Sequence, residues 1–310
     1  MNPPTLLTAL TLMAATMTTT TATAQQDERF RELVPDPAKL EKLGTGMKFV
    51  EGPVWSDENG GFLLFSDIPA SELKLWRKDA GVTTWAKESN QTNGNTRDRQ
   101  GRLISCEHAG RRVSLVSSPD KRETLVDNHE GKKLNSPNDA VVKSDGTIWF
   151  TDPTYGLGKN AKEQNANHVF VFDPETKQTK SVAADFVQPN GLCFSPDEKK
   201  LYIADSGKPR HIRVFDVKPD NTLSEGTVFC AIDKGVPDGI RCDERGNVWS
   251  SAGDGVQVFG PDGKLVGRIP VPETPANLCF GGADGGTLFI TARTSLYAIQ
   301  TNVKGAARPQ

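Results

Sequence analysis

The sequence predicts an all-β fold: a six-bladed β-propeller of four-stranded antiparallel blades, the last blade closed by an N-terminal strand. Three observations predict it. The same pattern of residues is written six times along 310 residues: a polar corner, a short apolar strand, a turn, and a second apolar strand ending on a polar residue. The copies recur roughly every 40–50 residues and contain only strand-length apolar runs, the period of a propeller blade. The final copy runs out of chain one strand short, and a spare segment lies at the other end to supply it.

The elements follow in order. Residues 1–24 read as a secretory leader: Leu6 to Met17 is apolar and small, and Ala22-Thr23-Ala24 fits the small-x-small cleavage pattern, which implies a periplasmic or secreted protein. No Lys or Arg precedes the apolar run, so the α-amino group is its only positive charge. No Cys lies nearby to take a lipid. Residues 25–38 are a polar segment, and residues 304–310 a tail, flanking a single domain over 39–303. Within it, Lys39 to Gly46 is the spare strand, because a closed ring leaves no long unpaired edge.

The first repeat runs from Gly52-Pro53-Val54-Trp55 to Phe62-Leu63-Leu64-Phe65-Ser66-Asp67, and a weaker second from Asn93-Gly94 to Leu103-Ile104-Ser105. The third joins Asn138-Asp139-Ala140 to Ile148-Trp149-Phe150-Thr151-Asp152. The fourth is the clearest, Pro189-Asn190-Gly191-Leu192 leading through Ser195-Pro196-Asp197 to Leu201-Tyr202-Ile203-Ala204-Asp205. The fifth joins Asp238-Gly239-Ile240 to Val248-Trp249, and the sixth Asn277-Leu278 to Leu288-Phe289-Ile290. Two apolar runs across turn residues make a β-hairpin. Third strands follow at Leu73–Trp76, Val113–Val116, Val169–Phe172 and Val256–Phe259, with the alternation of half-buried strands. Pro153 to His168 is an insertion, long for a hairpin and therefore functional or mobile. Very little helix is expected.

Composition narrows the function. The formal net charge is −2 and the basic residues are scattered, unlike a nucleic-acid binder. No run after the leader could span a bilayer. The five cysteines include no C-x-x-C pair; Cys193 and Cys279 read as buried apolar positions, and a Cys230–Cys242 bridge stays open. There is no nucleophile elbow, Walker loop, H-E-x-x-H or dinucleotide fingerprint.

Aligning the copies puts Glu51, Asn93, Asn138, Asn190, Asp238 and Ala276 at the feet of the first strands, where a propeller faces them across its channel. Oxygen donors without thiolate or imidazole suit Ca²⁺, or Mg²⁺ or Mn²⁺, better than Zn²⁺ or copper. The plain alternative for each is a turn residue leading into a strand. Antiparallel pairing brings the ends of the second strands to the same mouth: Asp67, Glu107-His108, Asp152 with Tyr155 beyond it, and Asp205. Those carboxylates either join the site or cap turns, and His108 is either a general base or a surface imidazole beside Arg111 and Arg112. His129, His168 and His211 fall outside the register.

Glu51-Gly52-Pro53-Val54-Trp55, Leu134-Asn135-Ser136-Pro137-Asn138-Asp139, Pro189-Asn190-Gly191 and Pro237-Asp238-Gly239 resemble motifs of the senescence marker protein/gluconolactonase/luciferin-regenerating-enzyme family, over essentially all of residues 45–303. The resemblance implies a six-bladed propeller with one divalent cation in its channel and hydrolysis of a sugar lactone. It implies Ca²⁺ first, with Mg²⁺, Mn²⁺ or Zn²⁺ as alternatives. It carries the metal ligands onto Glu51, Asn190 and Asp238, a metal or substrate contact onto Asn138, and the general base onto Asp238. Lys132 to Asn138 is similar to the bacterial gluconolactonase branch, and Ser136 stands where the animal proteins have a substrate-contacting Arg. The competing expectation is a non-catalytic propeller that binds a sugar or protein ligand at its mouth.

Overall fold

The computed structural model describes residue 1 and residues 28–306, so all but the first residue of the expected leader lies outside the described residues. Six four-stranded antiparallel sheets form the blades. Their inner strands are Val50–Ser56, Thr92–Arg97, Ala140–Val142, Pro189–Phe194, Ile240–Cys242 and Pro275–Gly281, and each contacts the next in cyclic order around the channel. Blade 6 takes its outermost strand from the other end of the chain. Glu41–Gly44 pairs antiparallel with Ser295–Gln300, Lys42 lying opposite Tyr297. The predicted closure is present.

Apolar alternation explains the burial. Second strands such as Phe62–Asp67 and Ile148–Asp152 are sandwiched between neighbouring blades and are buried at every position. Outer strands such as Gln178–Ala183 have one face in solvent and lack that continuity. Trp149 and Trp249 sit fully buried between blades, and each indole finds an acceptor: Thr147 Oγ1 at 2.9 Å and Asp243 Oδ2 at 2.9 Å. All five cysteines are buried and none is in a disulfide, so the Cys230–Cys242 bridge left open by the sequence is absent.

The polar N-terminal segment differs from expectation. Glu28–Leu33 is a short α-helix whose Phe30 and Leu33 pack, with Val34, into the core shared by blades 5 and 6. Phe30 seats against Gly267, where a Cβ would approach its ring to 2.2 Å. At the other end, the expected tail is ordered through Ala306: the Ala306 N–H donates to Cys242 O, and Gly305 bridges Asp243 at the floor of the channel.

Candidate active site at the channel mouth

The foot residues of blades 1, 2 and 4 sit where the inner strand is distorted, whereas Asn138 and Asp238 lie just before the inner strands of blades 3 and 5. Ladder register shifts between Glu51 and Val54, between Thr92 and Asn95, and between Pro189 and Leu192. A bulge of this kind re-aims a side chain out of the ladder. The recurring glycine after the foot residue has a packing cause. A Cβ on Gly52 would lie 2.1 Å from Asn93 O, on Gly94 2.4 Å from Asn138 O, and on Gly191 2.4 Å from Asp238 O. Neighbouring inner strands therefore touch backbone to backbone, and Gly94 N donates to Asn138 O at 2.7 Å and Gly191 N to Asp238 O at 3.1 Å. The Asn-Gly and Asp-Gly pairs are contact points between blades as well as turn residues.

Glu51, Asn190 and Asp238 converge at this ring. Glu51 is buried and accepts the Gly52 N–H at 2.6 Å. Burial, then the charge of Asp139, pushes its carboxyl up to about 7. Asp238, whose edge still meets solvent, is held well above the usual carboxylate range by desolvation first and by Glu51 and Asp139 next. Asn190 donates its Nδ2 to Ser206 Oγ at 3.0 Å, which fixes the amide and leaves its buried Oδ1 without a partner. Two carboxylates short of positive charge and one orphaned amide oxygen form a donor set for a hard cation. Among the described residues no group of three or more His, Cys, Asp or Glu is placed to hold a metal; the donors gathered here are two carboxylates and an amide oxygen.

Asp139 was not anticipated. It stands at the third repeat's equivalent of Gly52 and Gly94, fully buried below the mouth, and pairs with Arg241 at 3.1 Å. Asn277, the sixth repeat's equivalent, lies 3.4 Å from the same Asp139 oxygen. The signal was available as a break in the glycine register at 139 and 277. Beyond this pair a cavity of about 150 Å³ continues to the floor, lined in part by Cys193, Cys279 and Ala306.

The ends of the second strands brace the mouth from behind. Asp67 accepts the Lys48 and Phe49 N–H groups, and Asp205 those of Val187, Gln188 and Gly207. Asp152, expected beside the site, is fully buried and its Oδ2 accepts the Asn135 N–H at 2.7 Å, holding the loop that carries Asn138. Glu107 is likewise engaged by Arg112, Ser114 and Asn90. Each of these carboxylates braces a turn or loop, and Asp152 keeps a buried Oδ1 without a partner. His108 is buried, not a surface imidazole, and its Nε2 meets Asn93 Nδ2 at 3.2 Å.

The insertion of residues 153–168 is ordered over the mouth. Ser136 Oγ donates to Pro153 O at 2.7 Å and accepts the Gly156 N–H at 2.9 Å, so Ser136 anchors this loop. Glu163 ties it to Arg111 and to the Lys133 N–H. Half-exposed Tyr155 stands at its tip with its hydroxyl beside Ser206 and Asn190. Asn138 is buried in the ring, its N–H bonded to Thr151 O at 2.9 Å.

A propeller with two carboxylates and an amide oxygen gathered under a loop-covered mouth is the architecture of a channel-site enzyme. Comparison with known proteins then places it. The SMP-30/Gluconolactonase/LRE-like region matches residues 49–294, and the chain belongs to that family. It is 34% identical over 294 residues to a gluconolactonase of Zymomonas mobilis, covering 86% of this chain and 82% of that protein. The structure of a gluconolactonase from Xanthomonas campestris superposes with a TM-score of 0.84 at 34% identity, over 89% of this chain and 94% of that one. A calcium-binding protein, regucalcin, from Agrobacterium tumefaciens shares the fold at 21% identity, with a TM-score of 0.74 over 88% and 97% of the two chains.

Proposed function

We propose that this protein is a metal-dependent lactonase that opens five- or six-membered aldonolactones to aldonic acids. The observation that carries the reading is the convergence of Glu51, Asn190 and Asp238, with Asn190 Oδ1 buried, oriented by Ser206 and unpartnered. The gluconolactonase relatives support the reaction class, and the calcium-binding relative supports Ca²⁺ as the first cation to test. Glu51, Asn190 and Asp238 would hold the ion, with Asn138 beside them. A divalent cation bound there supplies Lewis-acid polarisation of the lactone carbonyl and stabilises the charge that develops on its oxygen.

The chain's own residues do the rest. Asp238 accepts the proton of the attacking water at its carboxylate, since it alone of the pair keeps contact with solvent at the mouth. Glu51, buried and bonded to Gly52 N–H, balances charge. The Tyr155 loop, anchored by Ser136, shields the site from bulk water. With a cation beside it, the Asp238 carboxylate would lose the raised basicity that burial and Glu51 give it, and a weak base suits an activated ester and not an amide, so no peptidase activity is expected.

The test is a lactone panel followed by proton release with added Ca²⁺, Mg²⁺, Mn²⁺ or Zn²⁺. Asp238→Asn should lower kcat roughly 10²–10⁴-fold, because the amide can hold its position but cannot accept a proton. Near-wild-type turnover in that variant would remove Asp238 as the base. A thermal shift with divalent ions, lost in Asn190→Leu, reports the cation independently of turnover. A wild type that opens no lactone would hand the site to a binding function.

A further inference from the structure

Asn93 is a second buried amide at the foot of an inner strand with an oxygen left over. It is 4% exposed, and its Oδ1 has no hydrogen-bond partner. Its backbone is fixed: Asn93 O accepts Ser66 Oγ at 2.6 Å and Asn95 Nδ2 at 3.1 Å, and Gly52 packs against it too closely to admit a Cβ. Its amide is fixed as well. Nδ2 can only donate, so the 3.2 Å contact makes His108 Nε2 the acceptor and places the imidazole proton on Nδ1. Burial pushes His108 down to about 4, so the ring is neutral and available as that acceptor at neutral pH. The ring itself cannot turn away, because Gly156 of the mouth loop lies against it, where a Cβ would come within 2.4 Å.

An unsatisfied buried acceptor is costly and calls for a donor. Asn93 shares the register of Glu51, Asn138, Asn190 and Asp238, so that donor belongs at the mouth. Resting on the lactonase reading, we propose that Asn93 is a specificity-determining residue whose Oδ1 accepts a ring hydroxyl of the lactone, and that His108 is the positioning residue that holds the amide in this orientation. The hydroxyl hydrogen is the donor that the protein lacks. The pair therefore selects a hydroxylated lactone over one bare at that carbon. A site built around a substrate hydroxyl discriminates by leaving its own group unpaired when that hydroxyl is missing.

The test is a cycle between enzyme and substrate. kcat/KM is measured for D-glucono-δ-lactone and its 2-, 3- and 4-deoxy analogues with wild type, Asn93→Ala, His108→Ala and His108→Gln, each loaded with the cation that supports turnover. One deoxy analogue should lose roughly 10- to 100-fold in wild type, and that penalty should largely vanish in Asn93→Ala. His108→Ala should shrink the same penalty, while His108→Gln, whose Oε1 can accept from Asn93 Nδ2, should restore it. A merely structural role for His108 would lower all four lactones together and would not be rescued in this pattern. If every deoxy analogue keeps its wild-type penalty in Asn93→Ala, Asn93 holds a bound water only and the proposal falls. Wild type that opens D-glucono-δ-lactone without any such coupling overturns this inference alone, whereas a wild type inert to all lactones overturns the reaction itself.

Discussion

At the level of single residues, the charge balance under the mouth rests on Arg241. Glu51, Asp139 and Asp238 crowd together, and the Arg241 guanidinium bonded to Asp139 is the cation the structure places among them. With Glu51 and Asp238 both ionised, three carboxylates against one guanidinium would leave two negative charges, which a divalent ion would neutralise. Arg241→Met should strand Asp139, a fully buried carboxylate, and destabilise the fold by about 3–5 kcal/mol in chemical denaturation. Adding Asp139→Asn to that variant should recover most of the loss, since breaking one partner of a buried pair costs more than removing both. The foot residues were legible in sequence because a repeat repeats its register. Asp139 was not, because Asn138-Asp139 reads like any other Asn/Asp turn until the neighbouring strand is seen to press on that position. Ser206 was equally hidden: nothing in one dimension says that a serine one residue past a strand will orient an amide sixteen residues earlier.

At the level of elements, blade 6 shows what sequence reading reaches and what it misses. The strand Glu41–Gly44 was found by counting, whereas the helix Glu28–Leu33 was not. Six residues are too few to form a helix on propensity, so this one exists through the burial of Phe30 and Leu33 against the propeller. Phe30→Ala should therefore lower stability by about 3–5 kcal/mol, read as a shift in the denaturation midpoint. Glu273 makes a second link in the same blade. It accepts hydrogen bonds from Thr294 N, Thr294 Oγ1, Tyr297 OH and Ser295 Oγ. Burial raises its pKa, but these donors outweigh that effect and hold it at about 2. A carboxylate depressed in the folded state stabilises above its unfolded pKa and loses that contribution as pH falls through the folded value. Unfolding free energy should thus drop between about pH 5 and pH 2, by on the order of 1–2 kcal/mol once solvent screening is allowed for. Glu273→Gln should flatten that part of the pH profile in thermal melts.

At the level of the whole molecule, six sheets are held as one ring by a single interleaved blade. Deleting residues 25–46 should remove both the helix that covers the blade 5–6 core and the partner of Ser295–Gln300. The exposed edge should make the truncated protein unfold or aggregate, visible as a lower melting temperature and a shift to large species in size-exclusion chromatography. A truncated chain that stays monomeric with an unchanged melting temperature would show that the ring closes without it. The ring was legible because its repeats share a pattern, while the bracing carboxylates Asp67, Asp152 and Asp205 showed only their position, not their partners. The closing blade also sets a clock. Glu41–Gly44 leaves the ribosome early, but Ser295–Gln300 follows it about 250 residues later, a wait on the order of tens of seconds at ~5–20 residues per second. Throughout that interval the first strand has no partner, so the ring of blades stays open until Ser295–Gln300 has been made, and the mouth that gathers Glu51 with Asp238 closes only after all six blades have emerged.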